Sequence, residues 1–98
     1  MLNIAKDFSP YPAGRVATDG PYSGQRFRGE LLEPAMKEGK ELMIELDGTR
    51  GYGSSFLEEA FGGLVRAGYP SKTILSLLTF KTNDDSLTLE IKEYIENA

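Results

Sequence analysis

Residues 41–68, ELMIELDGTRGYGSSFLEEAFGGLVRAG, restrict the fold more than any other stretch of this chain. Leu42, Ile44 and Leu46 alternate with Met43, Glu45 and Asp47, which is the two-residue period of a strand with one covered face. Gly48 closes that run, and from Ser55 the period changes. Leu57, Ala60, Phe61, Leu64 and Val65 recur at three- and four-residue spacing, the stripe of a helix, and Gly68 and Pro70 mark its end. A strand that turns straight into an amphipathic helix buries its apolar side by packing the two together, so the chain is expected to be α/β.

The remaining segments extend this pattern. Leu2, Ile4 and Phe8 alternate loosely and predict a first strand over 2–8, ended by Pro10, Pro12 and Gly14. A short second strand is expected at RVAT, residues 15–18. Ser23 is placed to cap a helix in which Phe27, Leu31, Leu32, Ala35 and Met36 share one face. Pro34 removes a backbone donor there and predicts a kink or a break, and Gly39 ends the element. A further strand is expected over about 77–82. Leu87, Ile91, Tyr94 and Ile95 form a helical face after the acidic start at Asp84 and Asp85; a strand-like alternation of Leu87, Leu89 and Ile91 competes with it. The expected order is strand, strand, helix, strand, helix, strand, helix. That gives a small mixed or mostly parallel sheet of about four strands, with three helices packed mainly on one face.

At 98 residues the chain is expected to form one domain, 1–98, that buries roughly 60–65% of its unfolded surface. No run of residues approaches the ~18 apolar positions a membrane span needs, and the N-terminal apolar stretch is too short for a signal peptide. Cysteine is absent, which removes disulfides, thiolate nucleophiles and thiolate metal sites and fits a cytoplasmic location. Histidine is absent too, so serine–histidine catalysis is excluded and the commonest transition-metal ligand is missing. The formal net charge is −4, with no basic stripe to neutralise phosphates, and a nucleic-acid partner is not expected.

The glycine-rich turn between strand and helix then becomes the place to look for function. Gly48 and Gly53 have the separation of a P-loop, but Ser54 stands where the phosphate-binding lysine belongs. A dinucleotide fingerprint fails because Phe56 occupies the third glycine position after Gly51 and Gly53. A nucleophile elbow fails because Ser55 is followed by Phe56 and no histidine is present. The chain is therefore expected to be no enzyme and to carry no cofactor or metal. Anion binding at the helix N-terminus, with Arg50, Ser54 and Ser55, stays open as an alternative. A purely structural role also fits Ser55, which with Glu58 three residues on spells a capping box that would stabilise the helix by about 1 kcal/mol. Gly62 and Gly63 inside the helix cost roughly 1 kcal/mol each against alanine, so close packing against a neighbour is expected there.

The run IELDGTRGYGSSFLEEAFGGLVR, with SGQRFRGELLEPAM before it and EIKEYIENA at the end, resembles the STAS-like domains of unknown function found in bacterial and phage genomes. The likeness covers most of the chain. Those domains are named for the STAS domains of anti-sigma factor antagonists, in which a strand, a serine-bearing loop and a helix form a regulatory surface. Laid on that motif, Ser54 and Ser55 fall on its two serines, and Ser55 on the one an anti-sigma kinase phosphorylates. Gly53 replaces the motif's aspartate and Phe56 its glycine. The resemblance implies a regulatory module that acts by binding a protein, with a histidine-kinase-like ATPase as partner. Its contact surface would comprise Arg50, Tyr52, Gly53, Ser54, Ser55 and Phe56. The alternatives are an assembly module that homo-oligomerises, or a small anion- or nucleotide-binding domain.

Overall fold

A computed structural model describes all residues, Met1–Ala98. Its centre is the strand read first: β2, Leu42–Glu45, lies between β1, Leu2–Asn3, and β3, Leu78–Lys81. All pairings are parallel, with Leu2 opposite Ile44 on one side and Ile44 opposite Phe80 on the other. Helix α1, Ile4–Asp7, follows β1 directly. A long loop leads to α2, residues 24–38, which precedes β2; α3, residues 54–66, and α4, Ser71–Leu77, connect β2 to β3. Helix α5, Asp85–Asn97, completes the chain and settles the competition at 87–97 in favour of helix.

The sheet thus has three strands rather than four, and five helices stand where three were expected. Two local effects account for the strands. Residues 15–18 are exposed, and the Asp19 carboxylate accepts from the backbone N–H groups of Arg15 (3.0 Å) and Val16 (3.2 Å). That side chain bends the segment into a short 3₁₀ turn, Ala17–Asp19, in place of a strand. At the N-terminus the strand stops after Asn3, whose side chain caps α1 by accepting from Lys6 N–H at 3.0 Å, while the Asp7 carboxylate reaches back to Asn3 N–H at 2.8 Å. This reciprocal pair turns the expected strand over 2–8 into two strand residues and one helical turn.

The cores of α2 and α3 follow the apolar spacing of the sequence. Phe27, Leu32, Phe56, Leu57, Phe61 and Leu64 are fully buried and pack on Ile44 and Leu78, while Met43, Thr79 and Lys81 on the opposite sheet face are exposed. An aromatic chain runs through this layer: Phe80 to Phe61 at 5.6 Å between ring centroids, Phe61 to Phe27 at 6.1 Å, and Phe27 to Phe8 at 5.1 Å. Offset and edge-on contacts of this kind add to the area term.

Helices α2 and α3 each contain one π-helical turn, Arg28–Leu32 in α2 and Glu58–Gly62 in α3. The first of these is the form the expected interruption takes. Glu33 N–H bonds back to Arg28 O, five residues away, and Pro34 follows at the start of a regular α-helical stretch. The helix continues without a break because the widened turn precedes the residue that cannot donate.

Candidate functional site

The loop 47–53 that joins β2 to α3 is fixed at both ends. The Asp47 carboxylate accepts from the Thr82 hydroxyl at 2.8 Å and from Asn83 N–H at 3.1 Å, tying the loop to the end of β3. Gly48 (φ +100°) and Gly51 (φ +124°) take backbone conformations that other residues rarely adopt, and between them the chain turns back over the Pro10–Tyr11 segment. There Arg50 N–H donates to Pro10 O at 2.8 Å. Tyr52 anchors the far side: its hydroxyl donates to Leu46 O at 2.6 Å, its ring stacks on Phe56 at 6.1 Å, and burial pushes its pKa up to about 12. The phenol is a neutral hydrogen-bond donor that holds the loop.

Helix α3 starts at Ser54, two residues earlier than the capping-box pattern places it. Gly53 is the N-cap, and no side chain caps the helix. Ser55 sits in the first turn, exposed, with its hydroxyl free of any intramolecular hydrogen bond, and Ser54 beside it is exposed too. The expected box fails because Glu58 is drawn elsewhere. Its carboxylate binds Arg66 Nη1 at 2.7 Å and Arg15 Nη1 at 2.6 Å. The Arg66 hydrogen bond, joined by that of Arg15, lowers the Glu58 pKa to about 2. Ser23, by contrast, caps α2 as its position predicts, accepting from Arg26 N–H at 3.2 Å.

The six residues singled out in the sequence therefore divide. Arg50, Gly53, Ser54 and Ser55 are exposed, Tyr52 is half-buried as a strut, and Phe56 is fully buried among Phe8, Phe27 and Tyr52. Phe56 belongs to the core and is not exposed for the contact expected of it. The structure adds Tyr11 and Tyr22, 59% and 39% exposed, which lie in no periodic pattern that would single them out. The Arg50 guanidinium lies 5.8 Å from the centre of the Tyr11 ring, and that of Arg26 lies 5.5 Å from that of Tyr22. Arg15, Arg26 and Arg28 pair with carboxylates, with Glu58, Glu30 and Glu59 respectively. No cavity opens on the surface, and no helix is long and apolar enough to cross a membrane.

A parallel sheet whose central strand leads through a glycine-rich loop into the main core helix, with two serines in that helix's first turn, matches in outline the strand, loop and helix that the sequence likeness implied. Residues 23–88, about two thirds of the chain, match the model of the family described as STAS-like domain of unknown function (DUF4325). The chain belongs to this family of STAS-like domains. Searches of the curated proteins and of the solved structures found no match.

Proposed function

We propose that this chain is a protein-binding regulatory module whose contact surface is the β2–α3 loop with the Pro10–Tyr11 segment beside it. One observation carries the reading: Ser54 and Ser55 lie exposed at the start of α3 with no capping duty, so their hydroxyls are free for a partner or for modification. Membership of the STAS-like family supports it, and so does the resemblance of this segment to the regulatory loop of anti-sigma factor antagonists, in which Ser55 would correspond to the phosphorylated serine. A phosphate there would stand at the positive end of the α3 dipole, which the helix tolerates, and would add a charge of about −1.5 to −2 to a surface that a partner must desolvate. The proposed partner is a histidine-kinase-like ATPase, and the module acts by binding and not by catalysis. The lack of histidine and cysteine supports the second part, and the net charge of −4 supports a protein over a nucleic acid as partner.

The test is calorimetric titration of the purified chain against histidine-kinase-like ATPases from the same genome, with and without Mg-ATP. Binding of one of them is expected, weakened by about tenfold or more in S55D and nearly unchanged in S55A, tenfold being the loss of one charge-compatible contact of about 1.4 kcal/mol. Failure of every such ATPase to bind would remove the proposed partner, and equal affinity of S55D and the wild type would remove the switch.

A further inference from the structure

Of the five arginines, four are paired with carboxylates: Arg15 with Glu58, Arg26 with Glu30, Arg28 with Glu33 and Glu59, and Arg66 with Glu58. Arg50 has none. The nearest acidic groups along the chain and in the adjoining segments are already engaged. Asp47 accepts from Thr82 and Asn83, Asp7 from Asn3 N–H, and Asp19 from the backbone of Arg15 and Val16. The guanidinium is nevertheless held in place. The Arg50 backbone N–H is tied to Pro10 O, its loop is set by Gly48 and Gly51, and its guanidinium lies by the exposed ring of Tyr11, the backbone N–H of which donates to Ser9 Oγ at 2.9 Å. The result is a presented, unfilled guanidinium fork beside an exposed aromatic face.

We infer that Arg50 and Tyr11 form the part of the contact surface that receives a side-chain carboxylate of the partner protein, flanked by an apolar residue that lies on the Tyr11 ring. This rests on the protein-binding reading of the same loop and names the chemistry its partner brings. A planar carboxylate matches the two parallel donors of the fork, and an apolar neighbour matches the ring. Charge decides against a denser polyanion. The chain carries 15 acidic against 11 basic residues, so an extended nucleic-acid backbone would meet net repulsion beyond the single unpaired arginine.

The probe is a short blocked peptide, acetyl-Leu-Asp-Glu-Leu-amide, compared with its uncharged counterpart acetyl-Leu-Asn-Gln-Leu-amide and with inorganic phosphate. Titration is followed by the ¹H–¹⁵N signals of the backbone and of the Arg50 Nε–H in the wild type, R50Q, R50K and Y11A. The acidic peptide is expected to shift Arg50 Nε–H and the amides around residues 49–51 saturably, with the uncharged peptide weaker by about three- to fivefold, the upper part of the range of one exposed ion pair. R50Q should abolish that difference, R50K should retain only part of it, and Y11A should weaken both peptides alike. Unshifted signals elsewhere in R50Q establish that the variant is folded. Equal binding of both peptides, shifts spread over Lys6, Lys72 and Lys92 as much as Arg50, or tighter saturation by phosphate centred on Ser54 and Ser55 would each overturn the inference. The ATPase titration above can succeed or fail independently of these outcomes.

Discussion

The Arg28 guanidinium closes the crossing of α2 and α3 by donating through one nitrogen, Nη1, to both the backbone carbonyl (2.6 Å) and the carboxylate (2.7 Å) of Glu59. Gly63 makes this possible, because a side-chain carbon there would overlap the same guanidinium. Gly24 plays the matching part on α2, facing Phe56 O and Ala60 N of α3. The glycine cost inside α3 is thus offset by a close helix crossing and a nearly buried ion pair, with Arg28 14% and Glu59 18% exposed.

This relationship makes identical substitutions at two helical glycines act with opposite sign. Gly63→Ala should destabilise the fold by about 1–3 kcal/mol, since either the Arg28 pair or the helix spacing must give way. Gly29→Ala should stabilise it by about 0.5–1 kcal/mol, because Gly29 is exposed on α2 and a methyl group there meets no neighbour. Urea denaturation of both variants checks the pair. Equal effects would show that the crossing does not depend on Gly63.

Truncation of the core has a predictable scale. Phe61 is fully buried and touches ring neighbours on α2 and β3, Phe27 and Phe80. Phe61→Ala should cost about 3–5 kcal/mol, a large share of the ~5–10 kcal/mol that holds such a chain folded. An unchanged denaturation midpoint would contradict the packing of α3 on the sheet.

Acid should loosen the same region through Glu58. Hydrogen bonds from Arg66 and Arg15 depress its folded-state pKa to about 2, below the ordinary carboxylate value of 4.5. A group depressed in this direction stabilises the folded state fully above its unfolded pKa, and the contribution is lost as pH falls from about 5 towards 2. Solvent screening of a partly exposed carboxylate limits the effect to about 1–2 kcal/mol. The melting temperature of Glu58→Gln should therefore fall less steeply than that of the wild type between pH 5 and pH 2, and parallel curves would refute this assignment.

Local periodicity made the centre of this fold legible and left its margins illegible. Leu42 and Ile44 in β2 with Leu46 just after it, and Leu57, Phe61 and Leu64 in α3, are apolar at the period of their element because one side is covered, and that side is the core. Strand β1 has no such signature: its two residues are strand only because Ile44 and Glu45 pair with them from 42 positions away in sequence. Side-chain competition misled the reading elsewhere. Asp19 captures the backbone at residues 15 and 16, and Arg15 and Arg66 capture the Glu58 that a capping box would have used. Tyr11 escaped notice for the same kind of reason, since its proximity to Arg50 arises from a loop-to-loop contact between segments distant in sequence.

The corrected position of Ser55 changes what its substitutions should do to stability. As a cap, Ser55 would lose about 1 kcal/mol on replacement by alanine. As an exposed first-turn residue behind the Gly53 cap, it has no hydrogen bond to lose, so Ser55→Ala should leave the melting temperature nearly unchanged, alanine being the better helix former. Ser55→Asp places a negative charge in the first turn of α3, where the helix dipole favours it, and should raise stability by about 0.3–1 kcal/mol at low salt and less at high salt. The two variants separate folding from recognition: neither weakens the fold, so any loss of partner binding in the aspartate variant reports on the surface alone. Thermal unfolding at two ionic strengths makes the measurement, and a loss of about 1 kcal/mol in Ser55→Ala would restore the capping role that the geometry of α3 denies.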